Sequence, residues 1–188
     1  MPPKKKESTK ASSKAPLYLF KIELKYITPK IWRKFFVPSD MKLIDFHNVI
    51  VNVMGWIGYH LHEFEIFGET YSNPRFDDIP VKSETEYKLN SFCFEPKSKF
   101  KYTYDFGDSW VHQLTVMDID YQPKEVRRRV GCIAGARNCP PEDIGGVSGY
   151  KNFLEAILDP DHEDYELFED DLEFDAGYFD IDSINRRL

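Results

Sequence analysis

The chain has 188 residues, of which 41% are apolar and 15% aromatic, so it can bury one sizeable hydrophobic core and is predicted to form one domain. It contains no run of about 18 apolar residues and no apolar N-terminal signal, which argues against a membrane-spanning helix and predicts a soluble, cytoplasmic protein. Three cysteines are too few for a disulfide framework, so we expect free thiols.

The net charge of −7 is unevenly distributed along the chain. Residues 1–16 hold five lysines and one glutamate and few apolar side chains, which predicts a disordered basic tail. Residues 155–182 hold thirteen acidic residues and no lysine or arginine. This tract would repel a phosphate backbone, so nucleic-acid binding by the acidic body is disfavoured, whereas a basic protein would be attracted to it.

Apolar periodicity predicts the first elements. Segments 17–27 and 31–37 alternate with a period near two and are separated by a Thr-Pro break, which favours an antiparallel pair of strands. Residues 43–54 carry apolar side chains at three- and four-residue spacings and are followed by Gly55, which is typical of a helix and its C-terminal end. Residues 60–67 return to a period of two, which predicts a strand.

A hairpin is predicted over residues 100–120, because alternating runs flank Gly107 and Asp108 and glycine supplies the positive φ that two-residue turns need. With those two residues as the loop, Thr103 would face His112 across the strands. A bulge of one residue would change this assignment.

The remaining segments are predicted as follows. Residues 69–99 form mainly connections with one candidate strand at 87–94, and residues 124–150 form an ordered but irregular loop. Helices are expected at 149–158 and in shorter pieces at 162–170 and 180–188. The predicted fold class is a single α+β domain, with a mainly antiparallel sheet, one principal helix packed on it and a helical acidic C-terminal part.

Five segments resemble a known family in their order and spacing: IWRKF, MGWIGYHLHEF, YDFGDSWVHQL, CPPEDIGG and GYKNFLEAILDPDH. The chain resembles the Ri-plasmid open-reading-frame-three-like family, also described as transposon passengers, over nearly all of Leu17 to Leu188. The resemblance implies an association with plasmids or mobile elements and supplies no activity. The resolvase-like label of the family is not supported, because the chain lacks both a serine among clustered arginines and a basic helix-turn-helix.

Polar and aromatic residues of these segments define a candidate cleft. We expect the proline-rich loop at 140–146 to cover the hairpin, so that polar groups converge in an aromatic-walled hollow. Arg33 is suited to hold a carboxylate there. The candidate cleft residues are Trp32, Arg33, His60, His62, Asp105, Trp110, His112, Glu142 and Asp143.

The candidate metal ligands are His60, His62, Asp105 and His112, because alternate histidines of a strand can chelate one ion when a further ligand arrives from elsewhere. Asp108, Glu142 and Asp143 could also supply that further ligand. The structural alternative stays open: a half-buried strand histidine can bond to its surroundings, and an aspartate can cap the turn at Gly107. No cofactor other than such a divalent metal is expected.

Three functions remain open at this point. A non-enzymatic ligand- or protein-binding module is favoured, because no complete catalytic set is present. The first alternative is a divalent-metal-dependent hydrolase with a His/Asp site and Glu142 as the base. The second is an acidic surface module that binds a basic protein through residues 155–182.

Overall fold

The computed structural model describes residues 14–74, 81–124 and 128–188. The predicted disordered tail lies, up to residue 13, outside this range. The strands and helices, in chain order, are β1 (Leu17–Leu24), β2 (Trp32–Pro38), α1 (Leu43–Met54), β3 (His62–Ile66), β4 (Glu69–Ser72), β5 (Lys82–Ser83), β6 (Lys99–Tyr104), β7 (Trp110–Asp118), β8 (Gly131–Ala136), α2 (Gly146–Ala156) and α3 (Ile181–Arg187). Two 3₁₀ segments, Leu89–Phe92 and Tyr165–Asp171, complete the regular structure of these ranges.

The eight strands form one sheet in the order β5-β4-β3-β6-β7-β1-β2-β8. Every neighbouring pair is antiparallel except β4 and β5, which are parallel. The predicted fold class, a single α+β domain with a mainly antiparallel sheet, is therefore confirmed. No helix within the described ranges has both the length and the apolar character needed to cross a membrane.

The core lies between one face of the sheet and α1. Phe46 of α1 is fully buried, and its ring centroid lies 4.9 Å from that of Phe20 and 5.9 Å from that of Phe64. Burying each such ring stabilises the fold by about 1.5–3 kcal/mol. The predicted end of α1 is confirmed, since Gly55 has a φ of 103° and its N–H donates to the Val51 carbonyl.

The predicted two-residue hairpin loop is wrong, because the chain forms a five-residue loop at 105–109. Tyr102, rather than Thr103, pairs with His112. The cause is local: Asp105 Oδ1 accepts a hydrogen bond of 2.9 Å from the Gly107 N–H, which stabilises a wider turn. Asp105 and Ser109 adopt the positive φ values of 57° and 54°, so Gly107 does not supply them.

This shift by one residue moves side chains between the two faces of the sheet. Tyr102, Tyr104, Trp110 and His112 are all buried in the core. Tyr102 and Tyr104 therefore share one face of the sheet with His112 and Trp110.

Three further predictions need correction. The candidate strand at 87–94 is the 3₁₀ segment Leu89–Phe92, and the connections at 69–99 include β4 and β5. The irregular loop at 124–150 contains β8, which pairs with β2. The last prediction is wrong because it interprets the glycines as an indication of a loop. A Cβ at Gly131 would come within 2.9 Å of the Phe36 ring, so this glycine permits close packing in a strand.

The helices expected at 149–158 and 180–188 are confirmed as α2, which begins earlier at Gly146, and α3. The piece at 162–170 corresponds to the 3₁₀ segment Tyr165–Asp171. All three cysteines are free thiols, as expected, and Cys132 and Cys139 are buried.

Candidate functional site

Three loops meet beyond the ends of the central strands. Loop A (residues 55–61) joins α1 to β3, loop B (105–109) joins β6 to β7, and loop C (137–145) joins β8 to α2. Each is short and begins or ends at a strand of the sheet. The sheet and α1 therefore fix where the loops start and finish.

Hydrogen bonds tie these loops to one another. The Asp105 N–H of loop B donates to the Leu61 carbonyl of loop A at 2.8 Å. The Asp108 carboxylate of loop B accepts a hydrogen bond of 3.2 Å from the Gly145 N–H of loop C. Loop C therefore does lie over the hairpin, in agreement with the expectation from its sequence.

His60 of loop A lies between two carboxylates. Its Nε2 is 3.5 Å from Asp105 Oδ2 and 3.3 Å from Asp143 Oδ1, and the three atoms lie within 4.8 Å of one another. Nε2 is buried and has no hydrogen-bond partner among the described residues. Ligand atoms at about 2.0–2.1 Å from a tetrahedral metal are separated by about 3.3–3.4 Å, so these two distances fit a single ion.

The second oxygen of each carboxylate is held by the protein. Asp105 Oδ1 accepts the bond from Gly107, and Asp143 Oδ2 accepts a hydrogen bond from the Tyr59 hydroxyl. The bond to Asp143 is the main reason that the pKa of Tyr59 is raised to about 12. Contacts of this kind orient metal ligands, and here they leave one oxygen of each carboxylate facing His60.

The cluster is open on one side. The side chains of His60 and Asp105 are 18% and 9% exposed, whereas that of Asp143 is 64% exposed. An ion held by these three residues would therefore be reached from the solvent on the side of Asp143.

Glu142, the neighbour of Asp143, is occupied by structural contacts. Its Oε1 accepts a hydrogen bond of 2.5 Å from the Tyr104 hydroxyl, and its Oε2 accepts one of 3.0 Å from the Ile57 N–H. Burial, together with Glu142, raises the pKa of Tyr104 well above its ordinary value. Because both carboxylate oxygens are engaged, Glu142 anchors loop C to loop A and is poorly placed to act as the predicted base.

His62, one of the predicted metal ligands, turns into the protein. Its Nε2 is 2.7 Å from Glu84 Oε2, and Glu84 is only 1% exposed. Its ring stacks on that of His47 at 3.4 Å, where burial and the proximity of His62 lower the pKa of His47 to about 3. The expected pairing of His60 with His62 is therefore not formed, because β3 begins only at His62 and His60 belongs to loop A.

His112 and Trp110 also lie inside the core. His112 is fully buried, neither ring nitrogen has a hydrogen-bond partner among the described residues, and burial lowers its pKa to about 3. Its ring lies 5.4 Å from that of Trp56. The corrected hairpin register explains this position, which keeps His112 away from the solvent-facing cluster.

Arg33 and Trp32 have other roles than the predicted one. The Arg33 guanidinium donates hydrogen bonds of 2.9 Å to the Val53 and Ala136 carbonyls, so it closes the C-terminal end of α1 and has no free edge for a ligand carboxylate. Trp32 pairs with Glu23 in the sheet, and its ring lies 5.3 Å from the Lys21 ammonium.

The structure thus brings together His60, Asp105, Glu142 and Asp143 of the predicted cleft. The sequence did not point to Tyr59 and Tyr104, and it offered Asp143 only as one of several possible further ligands. The available signal was the position of Tyr59 directly before His60 and of Tyr104 directly before Asp105.

The fold is that of a single-domain α+β protein with a mainly antiparallel sheet, in which three loops hold a histidine and carboxylates close together. The family described as "Plasmid pRiA4b ORF-3-like protein" matches residues 16–186, and the chain belongs to this family. The resemblance noted in the sequence is confirmed.

Two relatives cover most of the chain. It is 32% identical over 151 residues to the uncharacterized protein y4hQ of Sinorhizobium fredii. The matched region covers 79% of this chain and 77% of that protein. The crystal structure of a protein of unknown function from Methanosarcina mazei Go1 has a TM-score of 0.78 and 38% identity, covering 89% of this chain and 95% of that one. Neither name states an activity.

Proposed function

We propose that this protein is a non-enzymatic binding module. Its binding site would hold a divalent cation between His60, Asp105 and Asp143. One observation carries the proposal: the buried Nε2 of His60, which has no hydrogen-bond partner among the described residues, lies 3.5 and 3.3 Å from two carboxylate oxygens. The remaining oxygen of each carboxylate is already bonded to the protein, so the three free ligand atoms are oriented toward one point.

The charge of the cluster supports a cation. Within the described residues, neither Asp105 nor Asp143 forms an ion pair with a lysine or arginine, and their ion-pair contacts are with His60 alone. A divalent ion would neutralise both carboxylates. One imidazole and two carboxylates are a ligand set that suits zinc or manganese.

Binding is better supported than hydrolysis. Three protein ligands with an open position are typical of catalytic zinc sites, which favours the hydrolase alternative. However, the base assigned to that reaction, Glu142, has both oxygens hydrogen-bonded, and His62 and His112 are enclosed. The base named for that reaction is therefore engaged, and the two other histidines named for it are inside the core. A plasmid association, which the family name suggests, belongs to this proposal, and so does a cytoplasmic location.

The test is metal titration of the untagged full chain, purified in chelator, by isothermal titration calorimetry with Zn²⁺ and Mn²⁺. We expect one ion per chain. Asp143→Asn should weaken binding strongly because it removes a ligand. Asp105→Asn should do the same, and asparagine retains the turn because it tolerates the positive φ of 57° and keeps a side-chain acceptor.

The matched control is Asp161→Asn, which removes an exposed carboxylate outside the cluster. It should bind like the natural chain. Equal affinities for the natural chain, Asp143→Asn and Asp161→Asn, or no stoichiometric binding of either ion, would contradict the proposal.

A further inference from the structure

Four large apolar side chains project into solvent around the cluster. They belong to loops A and B, and we call them the apolar rim: Ile57 (82% exposed), Tyr59 (59%), Leu61 (41%) and Phe106 (43%). Exposed apolar groups that lie close together on a soluble protein usually mark an interaction site.

The bonds that build the site also place the rim. The Ile57 N–H donates to Glu142, the Tyr59 hydroxyl donates to Asp143, and the Leu61 carbonyl accepts from Asp105. Each rim residue of loop A is therefore hydrogen-bonded to a residue of the cluster or to its direct neighbour. Phe106 follows Asp105 in the chain.

Loop A alternates between outward and inward positions, which separates the rim from the ligand. Gly58, between Ile57 and Tyr59, lies against Val51, where an added Cβ would come within 2.9 Å of a methyl group. His60, between Tyr59 and Leu61, is turned to the two carboxylates. The rim side chains therefore flank the position of the cation.

We propose, on the basis of the cation site proposed above, that the bound ion and the apolar rim together dock a protein segment that presents an Asp or Glu side chain between apolar residues. An ion with three protein ligands has at least one coordination position open, and carboxylate oxygen is a preferred ligand of zinc and manganese. Apolar neighbours of that carboxylate would cover the rim.

The charge makes docking depend on the ion. Without it, Asp105 and Asp143 would repel an incoming carboxylate. With it, the divalent charge offsets those of Asp105 and Asp143, so the partner carboxylate can coordinate the ion directly, while Glu142 and Asp108 keep their negative charges in the same loops.

The form of the surface favours a protein segment over a small molecule. Small ligands are held in concave pockets that bury most of their surface. The rim residues instead project from two loops, and aromatic side chains of this kind are enriched among residues that dominate protein interfaces.

The experiment uses the full chain and two probe peptides, acetyl-Leu-Glu-Phe-amide and acetyl-Leu-Gln-Phe-amide, followed by amide chemical shifts in NMR titrations. In the Zn²⁺-loaded protein the Glu peptide should bind about tenfold or more tightly than the Gln peptide, since one metal–ligand contact distinguishes them. This preference should disappear in chelator-treated protein.

A pair of variants tests the rim. Ile57→Ser should weaken binding of the Glu peptide while leaving Zn²⁺ affinity unchanged. Leu158→Ser should have no effect on the peptide, although Leu158 is 82% exposed, as Ile57 is.

The outcomes separate the two proposals. If Zn²⁺ does not bind, the proposed function fails and the docking surface fails with it. If Zn²⁺ binds but the Glu and Gln peptides bind equally, or neither binds, the docking surface alone is overturned. The docking surface would also be overturned if the metal-free protein bound acetyl-Leu-Lys-Phe-amide more tightly than the Zn²⁺-loaded protein binds the Glu peptide. That result would indicate a cationic partner.

Discussion

The Tyr104 hydroxyl donates a hydrogen bond of 2.5 Å to Glu142 and so joins the end of β6 to loop C. The same carboxylate accepts the Ile57 N–H of loop A at 3.0 Å. The Tyr104 ring also stacks on Trp56 of loop A, with 5.0 Å between the ring centroids. One buried tyrosine and one carboxylate therefore hold together the loops that position His60, Asp105 and Asp143.

Glu142→Gln should destabilise the fold while keeping the size of the side chain. Hydrogen bonds to a charged acceptor contribute about 1.5–3 kcal/mol, so we expect the free energy of unfolding to fall by about 1–3 kcal/mol. Urea denaturation measures this change. The control, Glu169→Gln, alters an exposed glutamate of the acidic tract and should be neutral. Equal stabilities of the two variants would show that Glu142 does not anchor the loops.

Tyr59→Phe should weaken metal binding without abolishing it. The variant loses the hydroxyl that holds Asp143 Oδ2, so the ligand carboxylate becomes free to rotate. Loss of an outer contact of this kind typically lowers metal affinity by about 10–100-fold. Calorimetric titration with Zn²⁺ gives the affinity, and Tyr178→Phe is the matched control because Tyr178 is 55% exposed and bonded to Asp180. A Tyr59→Phe affinity equal to that of the control would exclude the orienting role.

Elements governed by local periodicity were predictable from the sequence. The helix at 43–54 was found to the residue, because apolar spacing and Gly55 specify the same boundary. The strands β1 and β2 followed from alternation and the intervening Pro29. In each case a single interaction, burial of one face, decided the structure.

The hairpin and β8 depended on contacts that the pattern does not contain. Asp105 competes with a two-residue turn by bonding to the Gly107 backbone, and this choice moves every later side chain of β7 to the opposite face. In β8, the absence of a side chain at Gly135 allows the Phe179 ring to pack against the strand backbone. The sequence pattern does not distinguish such a glycine from one in a loop.

The site could be predicted only in part for the same reason. His60 and Asp105 were identified as ligands because their types suit a metal, but whether a histidine faces the site or the core depends on where a strand begins and on its register. His62 and His112 therefore fell on the core side. Asp143 reaches the cluster through the fold of loop C, which no local pattern specifies.

His112 makes stability depend on pH. In the unfolded chain its pKa is about 6.5, whereas burial lowers the pKa of the folded form to about 3. Between these values the unfolded chain binds a proton that the folded chain does not. The free energy of unfolding is therefore unaffected by this proton above about pH 6.5. Below that pH it falls by about 1.4 kcal/mol per pH unit.

His112→Leu should therefore reduce the pH dependence of the free energy of unfolding between about pH 6.5 and pH 4. The reduction should be at most about 1.4 kcal/mol per pH unit. At pH 7 the variant should remain folded, because leucine leaves no unpartnered nitrogen in the core. Urea denaturation of both chains at half-unit pH intervals gives the two slopes. Identical slopes would mean that His112 is protonated in the folded protein.

Gly149→Ala should destabilise the protein even though alanine is the better helix former. Gly149 lies in the first turn of α2, and a Cβ there would overlap the Ile144 carbonyl oxygen. Propensity alone would favour alanine by about 1 kcal/mol. A backbone atom cannot rotate away, however, so α2 or loop C must shift, at a cost of about 1–3 kcal/mol.

The displaced segment adjoins Asp143, so the same substitution should also lower Zn²⁺ affinity. Thermal unfolding and calorimetric titration measure the two effects, with Ser148→Ala, an exposed change at the preceding position, as the control. A Gly149→Ala chain that is more stable than Ser148→Ala would show that helix propensity outweighs the steric contact. A destabilised chain with unchanged Zn²⁺ affinity would show that loop C holds Asp143 independently of where α2 begins.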